Sequence, residues 1–85
     1  MSVVYRDAEG RAVPRSEAVF DPVGRRMDTC LTTGCHRAPT RFYVLPGVLA
    51  DGLDGHARHC DRHGEELEAV CARNRVAVEA DPEFA

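Results

Sequence analysis

The sequence predicts a small α+β fold on three observations. Arg41-Phe42-Tyr43-Val44-Leu45 is a β-rich run that Pro46-Gly47 ends. From Asp61 to Ala80, apolar residues recur at helical spacing. Two close pairs of Cys and His flank the β-rich run: Cys30-x4-Cys35 and, 24 residues later, Cys60-x2-His63.

An 85-residue chain makes one domain and buries only about 60–65% of its unfolded surface, so its core is marginal. Domains of this size often add a disulfide framework or a metal. Here the aromatic residues are few: Tyr5, Phe20, Phe42, Tyr43 and Phe84, with no Trp. No run has the length of a signal peptide core or a membrane helix, which places the four Cys in a reducing, cytoplasmic setting. There, paired Cys and His are metal ligands more often than disulfide partners. All eleven basic residues are Arg, and Lys, Ile, Gln and Trp are absent. This GC-rich codon usage points to a high-GC bacterium or its phage.

Net charge is −3, unevenly spread. Residues 1–29 balance five Arg with five acids, whereas residues 61–85 carry three Arg against seven acids. An acidic helix and no basic face argue against nonspecific duplex binding.

The first 29 residues read as an N-terminal β extension or a partly ordered arm. Val3-Val4-Tyr5-Arg6 and Arg11-Ala12-Val13 flank Asp7-Ala8-Glu9-Gly10, a turn suited to type I geometry with a left-handed Gly. Ala18-Val19-Phe20 and Arg25-Arg26-Met27 flank Asp21-Pro22-Val23-Gly24 in the same way. No internal repeat is evident. Residues 30–80 form the main domain and residues 81–85 a tail. Cys30-Leu31-Thr32-Thr33-Gly34-Cys35 is a small-residue loop between two thiols, and Gly34 lets the backbone turn before the second. After the 41–45 strand comes a loop through Gly55, and His56–His59 returns as a short strand that delivers Cys60. The helix is expected over 61–80, with His63, Leu67, Val70, Cys71, Asn74, Ala77 and Val78 on one face. Asp61 is placed to cap its start or to neutralise the helix N-terminus, and Asp81-Pro82 to stop it.

Zinc favours tetrahedral Cys and His ligands supplied as two close pairs. Cys60 and His63 are three apart and share a face of the first helical turn. Free core thiols, a Cys30–Cys35 disulfide and an iron–sulfur cluster drawing on Cys71 are the alternatives. The cluster is disfavoured because Cys60 and Cys71 lie about 16 Å apart along one helix. Cys71 reads as a buried core residue. His36 follows a ligand and His59 precedes one; strand alternation turns His59 away from the metal. His56 reads as a polar hairpin residue.

The motifs Cys30-Leu31-Thr32-Thr33-Gly34-Cys35-His36-Arg37-Ala38-Pro39-Thr40 and His59-Cys60-Asp61-Arg62-His63 resemble those of small single-zinc treble-clef proteins of high-GC bacteria. The resemblance covers roughly residues 28–75. It implies a knuckle, β-hairpin and helix around one structural Zn2+ held by Cys30, Cys35, Cys60 and His63. The first spacing is x4 where many treble clefs use x2.

The expected function is a zinc-stabilised protein-interaction or regulatory module, with no enzymatic activity. Val48, Leu49 and Leu53 in the 46–55 loop are its candidate partner contacts. The alternative is nucleic-acid binding through Arg25, Arg26, Arg37, Arg41 and Arg58. A ββα-metal nuclease using His59, Asn74 and His63 is a remote third reading. The chain has no phosphate-cradling Gly loop and no Ser-His-Asp or paired-carboxylate signature.

Overall fold

A computed structural model describes residues 4–84. They fold as α+β, with a three-stranded antiparallel sheet and one α-helix. Strand β1, Arg41–Leu45, pairs with β2, Gly55–His59, in the register Arg41↔His59, Tyr43↔Ala57 and Leu45↔Gly55. Helix α1 follows directly as Asp61–Arg73. The chain then returns as β3, Glu79–Ala80, to pair with Val44 and Tyr43 on the other edge of β1. The sheet order is β2-β1-β3.

Strand alternation divides the sheet's two faces. Arg41, Tyr43, Ala57 and His59 point toward α1. Phe42, Val44, His56 and Arg58 point the other way, where Tyr5 meets His56, Asp21 meets Arg58 and Phe84 meets Phe42.

Helix and sheet meet at Gly64. A Cβ there would lie 2.6 Å from the Tyr43 hydroxyl and 2.7 Å from Arg41 Cδ. The glycine therefore sets how closely α1 approaches β1. Gly64→Ala is expected to lose about 1 kcal/mol net, because overpacking outweighs the gain in helix propensity. A urea melt measures the change. Arg41 spans from the sheet to the helix and donates to Asp61, Glu65 and Glu68, while the Tyr43 hydroxyl donates to Glu68 at 2.8 Å.

The helix ends earlier than periodicity suggests. Arg75 has φ 55, its N–H donates to Ala72 O, and the Val76 N–H donates to Cys71 O. This is a Schellman closure made without glycine. It frees residues 76–80 to form β3 instead of continuing the helix. Asn74 is the C-cap, and its side chain donates to Val70 O. Val70 is 43% exposed, so the buried stripe runs through Gly64 and Cys71. A left-handed L-residue costs roughly 1–2 kcal/mol. Arg75→Gly is accordingly expected to raise stability by up to about 1 kcal/mol after the glycine's extra chain entropy, read as a higher Tm.

At the helix start Asp61 stands in the first turn, where its charge favours the helix dipole, and not at the N-cap. Cys60 is the N-cap, in extended conformation. The Asp61 carboxylate instead accepts from Thr40 Oγ1 at 2.6 Å and Arg41 Nε at 3.3 Å, which ties the helix to β1.

Both N-terminal turns form, held by isolated bridges (Arg6↔Ala12 and Phe20↔Arg26) rather than full strands. Val3, expected to begin the first strand, lies outside the described residues, as does Ala85 of the tail. The two turns are twins. In each Asp-x-x-Gly-Arg, one Asp Oδ1 accepts the N–H groups two and four residues on: Glu9 and Arg11 for Asp7, Val23 and Arg25 for Asp21. Gly10 and Gly24 take φ 82 and 87. The sequence therefore does hold a short repeat, Asp7–Arg11 and Asp21–Arg25, and an Arg6↔Phe20 bridge joins its halves.

Two ion pairs fasten this segment to the rest of the fold, and one aromatic stack fastens the C-terminal turn to β1. Asp21 and Arg58 pair at 3.2 Å, both buried. Arg15 donates twice to buried Asp81, at 2.9 and 3.0 Å. Phe42 and Phe84 stack with centroids 3.8 Å apart. Asp81 caps the closing 3-10 turn, Pro82–Phe84, by accepting the Glu83 N–H.

Candidate metal centre

The knuckle, the end of β2 and the first turn of α1 converge on one point. The Cys30 N–H donates to Arg37 O and the Leu31 N–H to Arg58 O, which binds the knuckle to β2. Gly34, with φ 83, turns the chain so that the Cys35 N–H donates to Thr32 O. Cys60 stands at the helix N-cap and His63 one turn on.

The ligand atoms of Cys30, Cys35, Cys60 and His63 all lie within 4.8 Å of one another. Cys35 Sγ is 4.0 Å from Cys60 Sγ. His63 Nδ1 is 3.5 Å from Cys30 Sγ and 3.3 Å from Cys60 Sγ. A tetrahedral ion with metal–sulfur bonds of about 2.3 Å and metal–nitrogen bonds of about 2.0–2.1 Å needs edges of about 3.8 and 3.6 Å. The four residues thus fit one metal ion, with Nδ1 as the His63 donor. All four cysteines are free thiols.

No family model, curated protein or solved structure matches the chain.

The interior depends on this cluster. Among the described residues the buried hydrophobic ones are Cys30, Tyr43, Cys60 and Cys71, and no side chain is less than 2% exposed. Two of those four are ligands. Cys71 is buried outside the ligand set, in the core position expected of it.

The thiols are electrostatically unequal. Burial would raise the Cys30 pKa, but N–H groups of Thr32 and Cys60, the Thr32 hydroxyl and His59 outweigh it and hold it at about 5. The Arg37 N–H pulls the Cys35 thiol down, yet desolvation and the neighbouring Cys30 and Cys60 sulfurs prevail, leaving it raised. Cys30 is therefore poised as a thiolate, the form that metals bind.

His59 departs from expectation. Its side chain lies on the helix side of the sheet, with Nδ1 3.4 Å from both Cys30 Sγ and Thr32 Oγ1. Alternation gives its face; what brings it near the site is the knuckle, whose Leu31 N–H donates to Arg58 O beside it. His59 stays outside the ligand set and supports Cys30 from behind; His36 is exposed and also outside it. His56 packs edge-on against Tyr5, centroids 6.4 Å apart.

The remaining candidates are dispersed. Val48, Leu49 and Leu53 are 49%, 43% and 48% exposed. Their loop is closed by Leu49 N–H to Leu53 O and Gly52 N–H to Leu49 O bonds. Val48 Cγ1 occupies the space a Cβ on Gly55 would need. Val23, 72% exposed at the second N-terminal turn, joins Leu49 and Leu31 around one open groove of about 270 Å³. A single Val in a turn carries no periodic signal, so only the fold associates it with the 46–55 loop.

Proposed function

We propose that Cys30, Cys35, Cys60 and His63 hold a single structural zinc ion in a treble-clef arrangement, and that the zinc-built domain is a protein-binding module. The observation that carries the metal half is the tetrahedral spacing of three sulfurs and one imidazole nitrogen. Such a donor set suits zinc, and four protein ligands leave no position for an activated water. Knuckle, hairpin and helix follow in treble-clef order. Four free thiols suit a reducing cytoplasm, and no helix of the described residues is long and apolar enough to cross a membrane.

The binding half rests on the exposed apolar residues Val48, Leu49 and Leu53 of one loop and on the groove that Leu49 shares with Val23. Phosphate recognition has less support. Arg58 is buried against Asp21, Arg25 also pairs with Asp21, Arg26 with Asp28, and Arg41 with three helix carboxylates. For a nuclease, His59 and Asn74 are already engaged by Cys30 and Val70 O.

Native mass spectrometry with elemental analysis tests the metal: one zinc per chain is expected, and none would sink the reading. For the surface, Leu49→Asp with Leu53→Asp is expected to keep zinc and Tm while losing any protein recovered with the wild type. Unchanged recovery would point away from this loop.

A further inference from the structure

We propose that Cys35 is a peroxide-sensitive ligand and Cys60 its resolving partner, so that oxidation of this pair releases the metal. The inference rests on the zinc reading above and adds a regulatory property to the same site. Cys30 and Cys60 are each 5% exposed, whereas Cys35 is only partly buried, beside exposed Thr33 and Gly34. In the zinc-bound site every ligand sulfur is held as thiolate, so access decides which one the oxidant reaches, and access favours Cys35. Cys30 is further shielded: His59 Nδ1 stands 3.4 Å from its sulfur and His63 Nδ1 3.5 Å. Cys35 Sγ lies 4.0 Å from Cys60 Sγ, so a bond of about 2.05 Å needs a closure of only about 2 Å. Cys35 sits on the knuckle and Cys60 at the helix N-cap, so closure moves a loop toward a fixed helix.

The chemistry balances with hydrogen peroxide as oxidant. The Cys35 thiolate attacks one peroxide oxygen, the O–O bond breaks and hydroxide leaves, giving a sulfenic acid. The Cys60 thiolate then attacks the Cys35 sulfur; the S–S bond forms, the S–O bond breaks and a second hydroxide leaves. Two thiolates lose two electrons in total and the peroxide gains them. With only Cys30 and His63 left as donors, the ion is released to water. A thiol reductant reverses the disulfide.

The test uses the full zinc-loaded chain. Elemental analysis of the reduced protein comes first: absence of zinc there defeats the structural-zinc reading, separately from this one. Hydrogen peroxide is then added with a chromogenic zinc chelator present, and non-reduced peptides are mapped by mass spectrometry. One zinc released per Cys35–Cys60 disulfide, restored by reductant and zinc, is the expected result. Retained zinc, or release through a disulfide that uses Cys30, overturns the proposal. Cys35→His keeps four donors and is expected to lose peroxide-triggered release; release at the wild-type rate would also overturn it. If that variant does not fold, trapping the wild-type sulfenic acid with a dimedone probe decides. Label on Cys35 supports the proposal, and label on Cys30 or Cys71 alone refutes it.

Discussion

Removing the metal with a strong chelator is expected to abolish the cooperative thermal transition and most of the helical circular dichroism. The reason is how little else fills the interior. The buried apolar set contains two of the ligand cysteines, and no described side chain is completely enclosed. Structural zinc in finger peptides contributes roughly 10–16 kcal/mol at neutral pH, comparable to the whole stability of an ordinary domain. Without the ion, three thiols and an imidazole would crowd one point with nothing to bind them. A chelated protein that retains its Tm and its helical signal would show that the four residues are not a structural metal site.

Arg58→Ala is expected to destabilise the protein by about 2–3 kcal/mol, since it takes from the buried Asp21 carboxylate one of its two guanidinium partners and leaves it only the more exposed Arg25. For a domain of this size that lowers Tm by on the order of 15 °C. Arg58 does more than pair: it donates to Thr29 O at 3.2 Å and Arg26 O at 2.8 Å, so its loss also strands two carbonyls. Asp21→Ala should cost a similar amount, and the double variant less than the sum, because each single change already breaks the pair. The link has a pH signature. Burial would raise the Asp21 pKa, but hydrogen bonds from the Arg25 and Val23 N–H groups and from Arg58, with the Arg25 charge, together lower it. The resulting stabilisation is fully present above the ordinary aspartate pKa and is lost as pH falls through the depressed one. Asp21→Asn should therefore flatten the acid side of the stability–pH curve. A variant with the wild-type acid slope would remove Asp21 from that role.

Much of the site was legible in the chain. The run 41–45 is strand, His56–His59 returns beside it, and the Cys60-x2-His63 pair begins a helix. These features follow from alternation and helical spacing, which depend on local geometry. What was not legible depends on contacts between distant residues. The helix stop at Arg73 relies on a left-handed Arg75, where glycine would have announced it. Val76 to Ala80 keep an apolar rhythm that suits either element, and Glu79–Ala80 becomes strand because β1 has a free edge. Arg58 resembles any strand cation until Asp21, 37 positions earlier, folds over it. Gly64 resembles a weak helix residue until Tyr43 and Arg41 are seen against it. His59 lies outside the ligand set, as expected, but its approach to Cys30 was not legible because Cys30 comes from a knuckle 29 positions earlier.

Arg15 and Asp81 are in contact although 66 positions separate them. The docking place of the N-terminal segment is therefore made by residues farther along the chain: His56 and Arg58 of β2, then Asp81 and Glu83 beyond β3. A chain emerging from its N-terminus would make both Asp-x-x-Gly-Arg turns early and hold them without a surface to rest on. Knuckle, hairpin and helix can close around the metal first, through contacts of shorter range. The N-terminal segment would then be among the last to settle, because its contacts close the longest loops of the fold.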